Sequence, residues 1–177
     1  AISDEEFSVL FDHCFWATDK IRAFEINMHT SKISDEILTF FLSEVVSKMT
    51  NLSILNLQIS MAKITDKSLI AFANKTVPHL NSLQSFGLDL YESTNVSDEG
   101  VVKMFEAVDA KFRNLKKLVL NFGGTKITDL SLETFAERVG CHMTCLNDLH
   151  LCISKVNITD NGATKLCSSF SQTFHKV

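Results

Sequence analysis

Leu115-Lys116-Lys117-Leu118-Val119-Leu120-Asn121-Phe122-Gly123-Gly124-Thr125-Lys126-Ile127-Thr128-Asp129 is the stretch that decides the fold. From Leu118 to Phe122 apolar residues alternate with others, the signature of a strand with one buried face. Gly123-Gly124 then marks a turn. Ile127-Thr128-Asp129 follows, and helical spacing begins behind it. Thr128 is placed to cap that helix, and Asp129 puts negative charge in its first turn.

Both halves of this stretch recur through the chain. The triplet Ile/Val-Ser/Thr-Asp occurs six times, starting at Ile2, Ile33, Ile64, Val96, Ile127 and Ile158, with spacings of 31, 31, 32, 31 and 31 residues. The strand pattern recurs at Ile21-Phe24-Ile26-Met28, Leu52-Leu55-Leu57-Ile59, Leu83-Phe86-Leu88-Leu90 and Leu146-Leu149-Leu151-Ile153. With Leu115-Leu118-Leu120-Phe122 these make twenty positions, all apolar. The one extra residue falls in a loop between Leu90 and Val96, and alignment on the triplet puts Thr94 opposite Ser31, Ala62, Thr125 and Val156.

Behind each triplet the period changes to that of a helix. Leu38, Phe41, Leu42, Val45 and Met49 follow i, i+3, i+4 logic, as do Leu69, Phe72, Ala73 and Thr76, and Val101, Met104, Phe105, Val108 and Phe112. Lys48, His79, Lys111 and His142 fall at one equivalent place in the last turn, where cations favour the negative helix end. One strand and one helix per repeat cannot bury their own apolar faces. Stacking does so, with strands in a parallel sheet and helices outside it.

This pattern resembles the leucine-rich-repeat family, and within it the ribonuclease-inhibitor-like class, whose helices start with an ITDxG-like motif. Val96-Ser97-Asp98-Glu99-Gly100 and Ile158-Thr159-Asp160-Asn161-Gly162 match it in full, while Glu6, Ile37, Ser68 and Ser131 replace the glycine. Protein families of ciliates and other protists with repeats of this length are also similar. The resemblance covers essentially the whole chain. It implies an α/β leucine-rich-repeat solenoid, an arc or horseshoe with parallel strands on the concave face and helices on the convex face. Residues 1–177 then form a single array of about five and a half repeats. The family's Asn or Cys after the strand is absent: Ser31, Ala62, Thr94, Thr125 and Val156 stand there. The chain begins at a helix start and stops at Val177, so a longer array, or ends stacked on further repeats or other subunits, is expected.

Composition excludes several function classes. The net charge of −4 lacks the basic footprint of a nucleic-acid binder. No apolar run is long enough to span a bilayer, so no membrane partner is expected. The five cysteines fit no disulfide framework and point to a reducing, cytoplasmic compartment, so the four N-x-S/T sequons are read as chance. Cys141-His142-Met143-Thr144-Cys145 offers two thiols one helical turn apart, but zinc needs about four ligands. Gly123-Gly124-Thr125-Lys126 lacks the order of a phosphate loop. No cofactor, metal or enzymatic activity is expected.

The outward strand positions read Glu25, Asn27 and His29; Asn56, Gln58 and Ser60; Gly87, Asp89 and Tyr91; Val119, Asn121 and Gly123; His150, Cys152 and Ser154. This polar face is expected to bind a protein partner through Asn56, Gln58, Asp89, Tyr91, Asn121 and His150, with Tyr91 as aromatic anchor. The chain then reads as a non-enzymatic interaction module or scaffold subunit. The family resemblance also implies two alternatives. A GTPase-activating regulator would use acidic and Asn residues here, but Arg22, Arg113 and Arg138 lie off this face. A ubiquitin-ligase substrate receptor would need an F-box-like segment, which this chain lacks. Val9, Phe15, Trp16 and Phe40 form a second, apolar candidate patch near the N-terminal end.

Overall fold

The computed structural model describes residues 18–109 and 111–174. Five strands form one parallel sheet in the order β1-β2-β3-β4-β5. They are β1 Ala23–Asn27, β2 Ile54–Gln58, β3 Ser85–Asp89, β4 Lys117–Asn121 and β5 Asp148–Cys152. A helix follows each: α1 Asp35–Glu44, α2 Asp66–Ala71, α3 Asp98–Val108, α4 Asp129–Thr134 and α5 Asp160–Phe174. Short 3-10 turns at Val46–Lys48, Val77–His79, Phe112–Asn114 and Gly140–His142 lead from helix to next strand. α2 and α4 first widen into π turns at Phe72–Thr76 and Phe135–Val139.

Register follows from the alternation. Leu55 pairs with Phe86 and Leu57 with Leu88, and these with Leu118 and Leu120. All six are at most 2% exposed. A one-residue slip would turn the whole apolar set outward, so this register is strongly specified. Helix residues close the core from the other side: Phe72 stacks on Phe86 at 5.8 Å, and Phe86 meets Phe112 at 5.0 Å. Burial weakens at the last strand, where Leu149 and Leu151 are only half-buried.

The helix starts do more than cap. Ser34 Oγ accepts the Ile37 N–H, and Thr65, Ser97 and Thr128 each accept the N–H two residues on. The aspartate that follows then binds the cap of the next repeat. Asp35 accepts the Thr65 N–H (2.9 Å), the Thr65 hydroxyl (2.7 Å) and the Ser68 hydroxyl (2.6 Å). Asp66 does the same with Ser97 N–H (2.8 Å) and hydroxyl (2.6 Å), and with the Gly100 N–H at 3.1 Å. Asp98 takes Thr128 and Ser131, and Asp129 takes Thr159. The first-turn charge expected from sequence is therefore also an inter-repeat clasp. Its third donor explains the motif's last position: serine donates a hydroxyl, glycine its N–H. A Cβ on Gly100 would lie 2.6 Å from Asp66 Oδ1 and 2.9 Å from its Cα.

The turns after the strands correct one alignment. Thr30, Met61, Glu92 and Lys155 adopt φ of 55–56°, and Gly124 adopts 73°. Four non-glycine residues thus occupy a left-handed conformation that costs about 1–2 kcal/mol each. The N–H groups of Thr30, Met61, Glu92 and Gly124 repay part of this by donating to the next strand's end, Thr30 to Ser60 O at 3.0 Å and Glu92 to Gly123 O at 2.7 Å. The next residue's N–H turns back to the strand end, and in the fourth repeat that residue is Ser93 (to Leu90 O, 2.9 Å) rather than Thr94. The extra residue follows Ser93, whose buried hydroxyl donates to Ile59 O at 3.3 Å. Thr94 is exposed.

Lys111 Nζ donates to Pro78 O at 3.0 Å and to Asn81, so this last-turn cation bonds the preceding repeat. Of the N-terminal patch, Val9, Phe15 and Trp16 lie outside the described residues, whereas Phe40 is exposed.

Leu88→Ala should cost about 2–5 kcal/mol in chemical denaturation, because its neighbours in the ladder cannot collapse into the hole. The clasps predict acid sensitivity. Burial works against ionisation of Asp35, but bonds from Ser68 and Thr65 outweigh it and hold its carboxyl below the ordinary 3.8. The Thr159 hydroxyl and N–H likewise hold Asp129 low. On acidification the unfolded chain therefore takes up protons first. This stabilisation is full above the ordinary aspartate range and is lost as pH falls through the lowered folded-state values. Stability measured from pH 7 down to 2 should drop steeply only below about pH 4, and Asp35→Asn should flatten that drop.

Candidate functional site: the open face of the sheet

The helices cover one face of the sheet and leave the other to side chains at alternate strand positions. Strand pairing arranges these in rows. The first row reads Glu25, Asn56, Gly87, Val119, His150, and the second Asn27, Gln58, Asp89, Asn121, Cys152. Past the strand ends follow His29, Ser60, Tyr91, Gly123 and Ser154.

Of the six residues expected to form the site, Gln58, Asp89 and Asn121 are direct neighbours in the second row, each about 4.8 Å from the next strand. Tyr91 lies just beyond Asp89. Asn56 sits in the first row, where its side chain fills the space over Gly87: a Cβ there would collide with Asn56 Oδ1. His150 is separated from Asn56 by Gly87 and Val119, so these two do not meet.

The face is less free than the sequence suggests. Asp89 Oδ1 accepts the Tyr91 N–H at 2.9 Å, and Asn121 Oδ1 accepts the Gly123 N–H at 3.1 Å. Asn27 repeats the arrangement with His29 at 3.0 Å. These side chains terminate their own strands, and the second carboxylate oxygen of Asp89 and the amide donors of Asn121 have no partner among the described residues. His29 Nδ1 and Ser60 Oγ lie 2.6 Å apart.

Tyr91 belongs to a cluster that sequence reasoning missed. Lys155 Nζ donates to the Tyr91 hydroxyl at 3.0 Å and to Glu92 Oε1 at 3.2 Å, and lies 5.5 Å from the Tyr91 ring centre. Tyr91, expected from the sequence as the aromatic anchor, is half-buried and its hydroxyl accepts a bond from Lys155. Lys155 reaches across a whole repeat because Gly123 and Gly124 stand between. A Cβ on Gly123 would lie 2.9 Å from Tyr91 Cδ2, and one on Gly124 would lie 3.0 Å from Glu92 Cγ. The signal was present in the 31-residue register, which sets Glu92, Gly124 and Lys155 at one turn position. The Tyr91 hydroxyl and the Lys155 ammonium hold Glu92 below its ordinary 4.5, and the Tyr91 hydroxyl and the Glu92 carboxylate raise Lys155.

The cysteine pair offers no comparable chemistry. Burial, followed by the Asp109 carboxylate, pushes the Cys141 thiol up, and the thiol donates to Glu137 O at 2.9 Å. Cys141 and Cys145 are both exposed free thiols. Among the described residues, no three His, Cys, Asp or Glu side chains are grouped to hold a metal ion. No helix among them is long and apolar enough to cross a membrane.

No protein-family model matches the chain, and no curated protein does. Solved structures do. The actin-binding site 2 of leiomodin-1 matches with a TM-score of 0.58 at 18% identity, covering 99% of this chain and 91% of that one. The tropomodulin C-terminal domain of Caenorhabditis elegans matches with a TM-score of 0.53 at 11% identity, covering 99% and 95%. The chain shares its fold with these domains. At such identities the likeness concerns the fold alone. It corrects the assignment to the ribonuclease-inhibitor-like class, since these structural relatives belong to leiomodin and tropomodulin. The physical ground for the correction lies in the turns. An Asn or Cys ladder after the strand is replaced by Ser31, Ala62, Ser93, Thr125 and Val156, and the repeats are held at the helix starts instead.

Lys155→Met should leave the fold intact and return the Glu92 carboxyl toward 4.5, read by carbon-detected NMR titration of its side chain. An unchanged Glu92 midpoint would count against the cluster.

Proposed function

We propose that this chain is a non-enzymatic protein-binding module, acting in the cytoplasm without a cofactor, that takes its partner on the open face of the sheet. In this reading the repeats form a leucine-rich-repeat solenoid whose inner curve is that face. The observation that carries it is the second row: Gln58, Asp89 and Asn121 stand side by side on adjacent strands, bordered by the Tyr91–Lys155–Glu92 cluster. A row held by backbone bonds loses little freedom when a partner binds, and Tyr91 adds an amphipathic surface at its edge. The outer helix faces carry ordinary solvated pairs, such as Lys103 with Glu106 at 2.7 Å.

The leiomodin-1 structure is named for an actin-binding site, which makes monomeric and filamentous actin the first partners to test. A regulator of small GTPases is the weaker reading, since Arg22, the arginine beside the sheet, spends its guanidinium on Asn51 O.

A photo-cross-linker at Gln58 should capture the partner, while one at Glu106 should not. Tyr91→Ala should weaken binding by about 1–3 kcal/mol, because it removes the ring and releases Lys155 and Glu92. Glu106→Ala should change it by less than about 0.5 kcal/mol. The opposite ranking, in calorimetry with the captured partner, would move the site to the helix side.

A further inference from the structure

A groove of about 400 Å³ opens where β3 and β4 begin, lined by Asn81, Leu83 and Gln84 of one repeat and by Asn114 and Lys116 of the next. One backbone donor is left unmet there. Leu52 and Leu115 give their N–H groups to Met49 O and Phe112 O, each at 3.1 Å, and Leu146 gives its own to Met143 O at 3.4 Å. Leu83 stands at the same place in its repeat and is buried, yet its N–H has no partner among the described residues. A buried amide without an acceptor is costly, and an acceptor brought by a ligand would relieve it.

The side chains of the groove add further donors. Lys116 is exposed, and its ammonium makes no hydrogen bond or ion pair among the described residues. Lys111 donates to Pro78 O and to Asn81 Oδ1, so the acceptor of the Asn81 amide is occupied while its N–H groups are not. Asp148, on the neighbouring strand, is held by Lys117 at 2.8 Å and does not compete for Lys116. Arg113, one residue before Asn114, is exposed and forms no salt bridge, which gives the same loop a second cation.

We propose that this groove binds an acidic peptide segment of a protein partner, with the Lys116 ammonium and the Leu83 N–H as donors to one of its carboxylates. The charge decides the ligand class. One unpaired ammonium among neutral amide donors matches a single negative charge, whereas a phosphate monoester carries close to two and would leave one uncompensated. A lone exposed ion pair contributes little, so the segment carries a second acid, which meets Arg113. The groove lies at the strand starts, whereas Gln58, Asp89 and Asn121 close their strands at the other end. This proposal and the open-face reading can therefore fail separately.

The probe is an acetylated, amidated hexaglutamate peptide, titrated into the full chain at low ionic strength with backbone amide NMR as the readout and hexaglutamine as the neutral control. The largest shifts should fall on Leu83, Gln84 and Lys116, and exchange of the Leu83 amide with water should slow at saturation. Lys116→Met should weaken binding about three- to fivefold, and Lys116→Arg should retain it. Lys67, an exposed lysine in the first turn of α2, tests for a general charge effect, and Lys67→Met should change binding by less than about 1.5-fold. Absence of saturable hexaglutamate binding overturns the proposal, as does equal binding of hexaglutamine. An unmoved Leu83 amide, an equal loss in Lys67→Met, or tighter binding of a phosphoserine peptide also overturns it.

Discussion

The aspartate at each of four helix starts, Asp35, Asp66, Asp98 and Asp129, holds neighbouring repeats in step. Its carboxylate accepts three bonds from the next repeat, two of them from the residue that caps the next helix. One side chain thereby sets both the rotation of its neighbour and the point at which the next helix begins. Charge-assisted bonds of this kind are stronger than neutral ones. The geometry also bears on composition: three residues after the cap, Ser68 and Ser131 give a hydroxyl and Gly100 its N–H to that carboxylate. Ser68, Gly100 and Ser131 are two solutions to that one geometry.

With spacing fixed at the helix starts, the strand turns are relieved of that duty. Their side chains vary from Ser31 to Val156, and the structure relies there on left-handed backbone whose N–H groups pair with the next strand. This division separates the chain from the class its helix-start motif suggests. Its likeness to the leiomodin and tropomodulin domains is one of fold, since identity with either is under one residue in five.

The same repetition creates two unlike surfaces. On the open face, strand-end Asp and Asn side chains are partly spent on their own backbone, so the face is rigid rather than reactive. Along the edge of β5, the groups that join the other pairs of strands have no partner among the described residues. A repeat cannot saturate its own bonding, and the cost of an exposed strand edge is the counterpart of the ease with which repeats are added.

The strands, their register, the helix starts and the buried face of each element were legible in the sequence by itself, because each depends on local period. Alternation marks Leu55, Leu57, Phe86 and Leu88, and a 3.6-residue period marks Leu38, Phe41 and Leu42. The candidate row Gln58, Asp89 and Asn121 was legible for the same reason. What only the tertiary structure decided involves atoms a full repeat or more apart. The Asp66 clasp, the placement of the extra residue after Ser93, and the reach of Lys155 over Gly123 to Tyr91 all depend on distances between repeats. Periodicity records which side a residue faces, but not whether its polar atoms are already spent on a neighbour 31 or 64 residues away.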